Sequence, residues 1–350
     1  MYIVFVGGGT GGSVSPLLAI INQLRKRLPS CTVAWFGTHH GPERIMTRGR
    51  VDRYVWIANG KLRRYMSWQN LIDPFFIFFG FVQSLALLII HRPHWIVVAG
   101  SFVGVPVVWA AWLLRIPVLI HQQDVTLGLA TRLMAPVARY ITASLPVPYR
   151  GMGMQRVRVT GNPVREDLRQ IPIDQARTIL GITDTLPIIM VVGGGTGAHA
   201  LNTVTVDALP FLVEHCWVVH ITGGRDIARK DHARHIVIPF ATDTLGAILS
   251  AADVVVTRAG MSMLSELAIF GKPALVIPMP DSHQVANAEY FVAQGAALML
   301  DQRQLSPEAF SAAILDLLHD KPRQAAYAHA MLSIAMPDAA ERIASILIQQ

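Results

Sequence analysis

Charge is scarce in this 350-residue chain, and cysteine almost absent. Charged side chains make up 15% of it, against 52% apolar. The two cysteines, Cys31 and Cys216, stand far apart with no metal-ligand spacing around them. A disulfide framework and a zinc module are thereby excluded, and a reducing compartment is implied. No Asp-x-Asp pair ends an apolar run, so no metal is expected to hold a diphosphate. Zinc-finger spacing and an aromatic RNA-binding signature are also lacking. The net charge of +7 therefore points to membrane and phosphate, with no nucleic acid as partner. The start, MYIVFVGGGTGG, has no basic leader and no cleavage site, so secretion is not expected. No stretch is a clean membrane span.

What the chain does have is one device used twice. The apolar run Tyr2 to Val6 leads into Gly7-Gly8-Gly9-Thr10-Gly11-Gly12, and a helical pattern follows from Val14 to Leu28. Pro187 to Val192 leads into Gly193-Gly194-Gly195-Thr196-Gly197-Ala198, again followed by a helix. Further strands are expected near 32–37, 95–99, 117–121 and 140–143 in the first half. In the second half they are expected near 217–222, 236–239, 253–256 and 273–277. Such alternation with amphipathic helices implies two α/β domains with parallel, doubly wound sheets. Their boundary is placed at Thr160 to Arg165, where a further strand ends in Gly161-Asn162-Pro163, giving domains 1–161 and 162–336, with a last helix (337–350) that would pack back on the first. Ligands of such sheets bind at the carboxyl ends of the strands, so two facing domains would hold one in a cleft.

Both glycine turns meet a loose dinucleotide fingerprint. An NAD site also needs an acidic residue at the end of the second strand. The strands here end Phe36-Gly37-Thr38-His39 and Ile221-Thr222-Gly223, and neither supplies a carboxylate. No redox cofactor is expected.

The densest cluster spans Asp253 to Asn287. A buried strand ends at Arg258, Ala259-Gly260 turns, and a helix runs from Met261 to Phe270. The first turn of that helix, Met261-Ser262-Met263-Leu264, offers N–H groups suited to a diphosphate. Ser265 and Glu266 follow, and a carboxylate there suits the hydroxyls of a ribose. His283, Gln284 and Asn287 open another helix at a strand's carboxyl end. Pro74 to Ile90, PFFIFFGFVQSLALLII, is apolar all round apart from Gln83 and Ser84. Seventeen residues sit at the lower edge for a span. With Lys61, Arg63, Arg64 and Trp68 before it and Arg92 and Trp95 after it, the segment is expected to lie partly against lipid and partly in the fold.

The segments GGGTGG, GKLRRYMSWQNLIDPF, HQQD, GNPVR, GGGTGAHALN, TRAGMSMLSELAIFGKPALVIP and HQVANAEYF resemble glycosyltransferase family 28, in order along nearly the whole chain. The resemblance implies a GT-B fold and an inverting, metal-independent transfer. N-acetylglucosamine would pass from its UDP donor to a muramoyl-pentapeptide carried on undecaprenyl diphosphate, at the cytoplasmic face of a membrane. It also implies that Arg165 and the Met261 to Glu266 turn hold the diphosphate, Glu266 the ribose and Ala241 the uracil, while Gly195 and Gln284 meet the donor sugar. Thr10, Gly11, Gly12 and Asp124 would line the acceptor side. An anionic membrane surface would meet residues 61–95.

Two positions depart from the family pattern. Ser13 stands where a histidine is usual after the first glycine turn, and a serine hydroxyl is a poor base unless activated. His121-Gln122-Gln123-Asp124 replaces the usual HEQN. Asp124 is therefore a candidate base, with His121 in support. Another lipid-linked acceptor, a UDP-sugar 2-epimerase and a non-catalytic sugar-nucleotide protein stay open as alternatives.

Overall fold

The computed structural model describes all residues except 61–68, 150, 151, 153–156, 167, 169, 195, 196, 226, 228–231, 242 and 350, and the side chains of 69–72. The chain divides into two units, Met1–Arg165 with Met336–Gln350, and Glu166–Ala335.

In unit 1, seven strands form one sheet. They are β1 (Tyr2–Val6), β2 (Thr32–Gly37), β3 (Arg53–Trp56), β4 (Trp95–Val98), β5 (Val118–Gln122), β6 (Tyr140–Ala143) and β7 (Val157–Val159), in the order β3-β2-β1-β4-β5-β6-β7. All pairs are parallel; Val4 lies beside Ala34 on one side and Ile96 on the other. Strands covered on both faces need apolar residues at every position, which is why β1 reads as an unbroken run. Ile3, Phe5, Val33, Trp35 and Val97 enter one core, while Val4, Val6, Ala34, Phe36 and Val98 enter the other. The C-terminal helix, Ala339–Ile348, adds Ile343 and Leu347 to the first of these cores. Arg27 ties it to the helix Ser15–Arg27 by donating to the Ser345 hydroxyl at 2.6 Å.

Unit 2 repeats the plan with β8 (Ile188–Val192), β9 (Trp217–Ile221), β10 (His235–Ile238), β11 (Val254–Thr257), β12 (Ala274–Val276) and β13 (Ala297–Met299), in the order β10-β9-β8-β11-β12-β13. Each sheet reverses its strand order at one place, between β1 and β4 and between β8 and β11. Both glycine turns therefore leave the carboxyl end of a strand at a topological switch point, the position where doubly wound sheets take their ligands.

Two strands escaped the pattern reading, β3 and β13. Both are short edge strands, and β3 is half-exposed throughout, so neither needs the apolar run that marks a central strand.

The helix Gln69–His91 is turned inside out. Its polar residues hold it to the fold. Gln83 accepts from the Ala58 N–H at 2.9 Å and donates to the Trp56 carbonyl at 2.8 Å, while buried Ser84 donates to Gly80 O. A Cβ on Gly80 would overlap the Ala58 carbonyl, so glycine is what lets the helix approach. Four of its phenylalanines face outward: Phe75, Phe76, Phe78 and Phe79 are 48–67% exposed, while Phe81 packs against the core. Trp112 and Leu113, on the adjacent helix Gly104–Leu113, are also exposed. Asp73–His91 is long and apolar enough to cross a membrane by length and composition, yet only 17% of its most apolar window is buried.

Candidate functional site

In unit 1 the site is built on the turns after β1 and β5. After β1, Gly9 has φ +85°, and a Cβ there would strike the Phe102 ring. Gly11–Ser13 forms one 3-10 turn ahead of the helix. Thr10 and Gly12 are exposed and Gly11 half-exposed. The Ser13 hydroxyl donates to Thr10 O at 3.1 Å and Gly8 O at 3.4 Å, so it closes the turn. Ser101, after β4, also donates to Gly8 O, at 3.0 Å.

At the end of β5, His121 is fully buried. One ring nitrogen lies 3.0 Å from the Thr142 hydroxyl and the other 3.1 Å from Asn162 Oδ1. Burial pulls its pKa down to about 4, with the Asn162 bond opposing in part. His121 is thus neutral at physiological pH and touches no surface. The Ser144 hydroxyl lies 3.4 Å from the same ring nitrogen as Asn162. Gln122 explains how Asp124 is presented. Its side-chain amide donates to the carbonyls of Asp124 at 2.7 Å and Thr126 at 3.1 Å, latching the loop into a fixed bend. A carboxylate at position 122 would have no N–H to give. Asp124 itself is half-buried. Arg165 ends unit 1 as a half-buried residue of the connecting segment.

The unit 2 site gathers after β8, β10, β11 and β12. Gly195, assigned to the donor sugar, lies outside the described residues. Asn202, in the helix His199–Leu212, secures the strand behind the second glycine turn. Its amide donates to Thr222 O at 3.1 Å, and its Oδ1 lies 3.1 Å from His220 Nε2. His220 is fully buried, and its pKa is lowered to about 3, by desolvation first and the neighbouring His235 second.

After β11, Gly260 caps the helix Met261–Phe270 and brings no side chain, so no side-chain oxygen caps its N-terminus. The turn is held from both sides. Buried Asn287 donates to Ala259 O at 3.0 Å. Arg258 is buried and donates to Ile277 O at 2.9 Å, Pro278 O at 3.3 Å and Gln302. Burial lowers its pKa. Met261 and Leu264 are buried, and Ser262, Met263 and Ser265 half-buried; the Ser265 hydroxyl bonds back to Met261 O at 2.7 Å. Glu266 is 5% exposed on the same helix. Ala241 follows β10 and is half-buried. Gln284 accepts from the Met279 N–H at 3.0 Å, which fixes the Met279–Ser282 loop after β12. That loop contains Asp281 at φ +56°, paired with Arg303 at 2.7 Å.

Sequence reasoning missed Glu43, whose carboxylate accepts the Gly9 N–H at 3.2 Å, Ser101, Asn202 and the bracing roles of Gln122 and Arg258. These residues sit in loops or face into the fold, where no periodicity singles them out. Among the described residues no group of His, Cys, Asp and Glu could hold a metal ion.

Two doubly wound sheets with glycine turns at their switch points, and a glycine-capped helix N-terminus beside the second, define an α/β protein of the GT-B class. Residues 3–143 match the N-terminal domain of glycosyltransferase family 28, and residues 188–343 its C-terminal domain. The chain belongs to glycosyltransferase family 28. It is similar to the UDP-N-acetylglucosamine--N-acetylmuramyl-(pentapeptide) pyrophosphoryl-undecaprenol N-acetylglucosamine transferase of Treponema pallidum, at 35% identity over 91% of this chain and 87% of that protein. The solved structure of Acinetobacter baumannii MurG superposes with a TM-score of 0.77 at 25% identity, covering 100% of this chain and 99% of that one. A UDP-GlcNAc 2-epimerase from Neisseria meningitidis, bound to UDP-GlcNAc, gives 0.68 at 16% identity, covering 100% of both chains; that likeness is one of fold alone.

Proposed function

We propose that this chain transfers N-acetylglucosamine from its UDP donor to muramoyl-pentapeptide on undecaprenyl diphosphate, with inversion at the anomeric carbon, at the cytoplasmic face of the membrane. The carrying observation is the Gly260-capped helix N-terminus at the switch point of unit 2, in a chain whose two halves both match family 28. In this reading the acceptor hydroxyl attacks the anomeric carbon as the bond to the diphosphate breaks. Asp124 takes the hydroxyl proton. UDP departs with its charge met by the Met261–Leu264 first turn and Arg165. Glu266 holds the ribose, Ala241 the uracil, and Gln284 and Gly195 the sugar. Thr10, Gly11 and Gly12 receive the acceptor. Ser13 shapes their turn, and His121 supports Asp124 from behind.

UDP release from UDP-N-acetylglucosamine is expected only when lipid-linked muramoyl-pentapeptide is added, and Glu266→Gln is expected to weaken UDP binding about tenfold or more by calorimetry, as loss of a charge-assisted pair. Release without acceptor, or unchanged affinity, would reject the assignment.

The outward-facing phenylalanines support a peripheral membrane site. Apolar side chains exposed on this scale are costly in water and are at home in a headgroup boundary. The basic residues of 61–64 would add attraction to anionic lipid. Sedimentation with vesicles containing anionic phospholipid is expected to recover the protein at low salt and to lose much of it near 0.5 M salt, roughly where the Debye length falls below 5 Å. Phe75→Ser/Phe79→Ser should abolish recovery; equal recovery on neutral vesicles would remove the electrostatic part.

A further inference from the structure

The chain passes between its two units twice, between Arg165 and Glu166 and between Ala335 and Met336. The segment leading to the first crossing, 160–165, forms no helix or strand. Its shape therefore rests on single anchors. The N–H groups of Thr160 and Gly161 both donate to Ala143 O, at 3.0 and 3.2 Å. Gly161 has φ +85°, and a Cβ there would overlap Met336, the first residue after the second crossing. Asn162 follows and is 5% exposed. Its Oδ1 lies 3.1 Å from His121 Nε2, while its Nδ2 is buried without a partner. Among the described residues no other buried side-chain nitrogen or oxygen lacks one.

An unpaired buried donor costs stability, so an amide in this place calls for a reason. His121 supplies it. The network fits a ring with its proton on Nε2: the Thr142 hydroxyl serves Nδ1, and the Nε2–H goes to Asn162 Oδ1. Aspartate would offer the same oxygen with a charge beside the ring, and would favour a protonated His121. The amide holds the ring without charging it, and leaves Nδ2 unpaired. The bond joins two stretches of unit 1 that the transfer needs. Asp124 follows His121 just beyond the end of β5, and Arg165 follows Asn162 at the end of the connecting segment. We propose that Asn162 is a positioning residue: its bond to His121 is a strut that fixes the Arg165-bearing segment against the strand presenting Asp124, so that the base and the arginine meeting the departing diphosphate keep one geometry. The inference rests on the glycosyltransferase reading for the roles of Asp124 and Arg165.

Asn162→Leu tests it, because leucine is close to the amide in size and removes the oxygen and the unpaired Nδ2 together. Exchange of the Gly161 amide, followed by NMR, is expected to quicken about tenfold or more as the segment loosens. Calorimetric affinity for UDP is expected to fall about fivefold or more, and turnover about tenfold or more. In an Arg165→Ala background the same substitution is expected to change UDP affinity less than about twofold, since its effect passes through the arginine. His121→Phe breaks the strut from the other end. It is expected to give the same losses, and the two substitutions together no more than either alone, so the test does not hang on one variant folding. Thr142→Val removes the other partner of His121 and leaves the strut. It is expected to lower Tm while keeping UDP affinity within about twofold. Unchanged Gly161 exchange in Asn162→Leu, an equal loss of UDP affinity with and without Arg165, or a Thr142→Val loss as large as that of Asn162→Leu would each overturn the proposal. A wild-type chain that binds UDP and transfers nothing, with the Asn162→Leu responses in exchange and affinity intact, would instead overturn the glycosyltransferase reading alone.

Discussion

Asp124→Asn is expected to lower turnover by roughly 10²- to 10⁴-fold, the usual contribution of a general base, while the calorimetric affinity for UDP stays unchanged. The split follows from where the residues lie. Asp124 stands after β5 in unit 1, whereas Ala241, the Met261–Glu266 turn and Gln284 stand in unit 2. Asparagine matches aspartate in size and leaves the Gln122 latch intact, because Gln122 grips the backbone carbonyl of residue 124 and not its side chain. The loss would therefore report the missing base and not a collapsed loop. Near-normal turnover in Asp124→Asn would reject the assignment. Ser13 is a weaker candidate on the same geometry, since its hydroxyl is spent on Thr10 O and Gly8 O.

A second large effect concerns acid. His121 and His220 are both fully buried and held neutral, with pKa values near 4 and near 3 against an ordinary 6.5. Below pH 6.5 the unfolded chain binds protons at these positions that the folded chain refuses. Stability therefore falls as the pH drops from about 6.5 toward the folded values. At about 1.4 kcal/mol per tenfold in proton affinity, the loss is roughly 3 kcal/mol for His121 and roughly 5 kcal/mol for His220, a large share of a typical folding free energy. Thermal unfolding from pH 7.5 down to pH 4 is expected to show a steep fall in Tm. Because His220 belongs to unit 2, His220→Gln should flatten the acid slope of that unit while leaving that of unit 1. An unchanged slope in the variant would show that other groups set the acid limit.

The fold was legible because central strands covered on both faces must be apolar at every position. Tyr2–Val6, Ile188–Val192 and Val254–Thr257 advertise themselves in this way, and the repeated GGGTG marks the strand ends that matter. Edge strands β3 and β13 carry no such demand and left no signal. The candidate site was legible in part. The helix at Met261 and the HQQD segment could be read from spacing and resemblance, because a glycine before a helix and a carboxylate after a strand have local meanings.

The roles of Glu43 and Gln122 had no such local mark. Each depends on which backbone groups another loop brings within 3.2 Å, and the chain alone does not say which loops meet. No acidic residue lies in Phe36-Gly37-Thr38-His39, where β2 ends. One arrives six residues beyond Gly37, as Glu43, and bonds the protein's own Gly9 N–H.

By itself the sequence determined the class of fold, the switch-point glycine turns and the segment too apolar for water, since each follows from local composition and period. Only the tertiary structure decided that the final helix belongs to the first unit, that Gln83 and Ser84 of the helix Gln69–His91 bond inward while Phe75, Phe76, Phe78 and Phe79 face out, and that the Glu43 carboxylate accepts the Gly9 N–H of the first turn. Those outcomes depend on contacts between residues 27 and 345, 58 and 83, and 9 and 43, which no window of sequence contains.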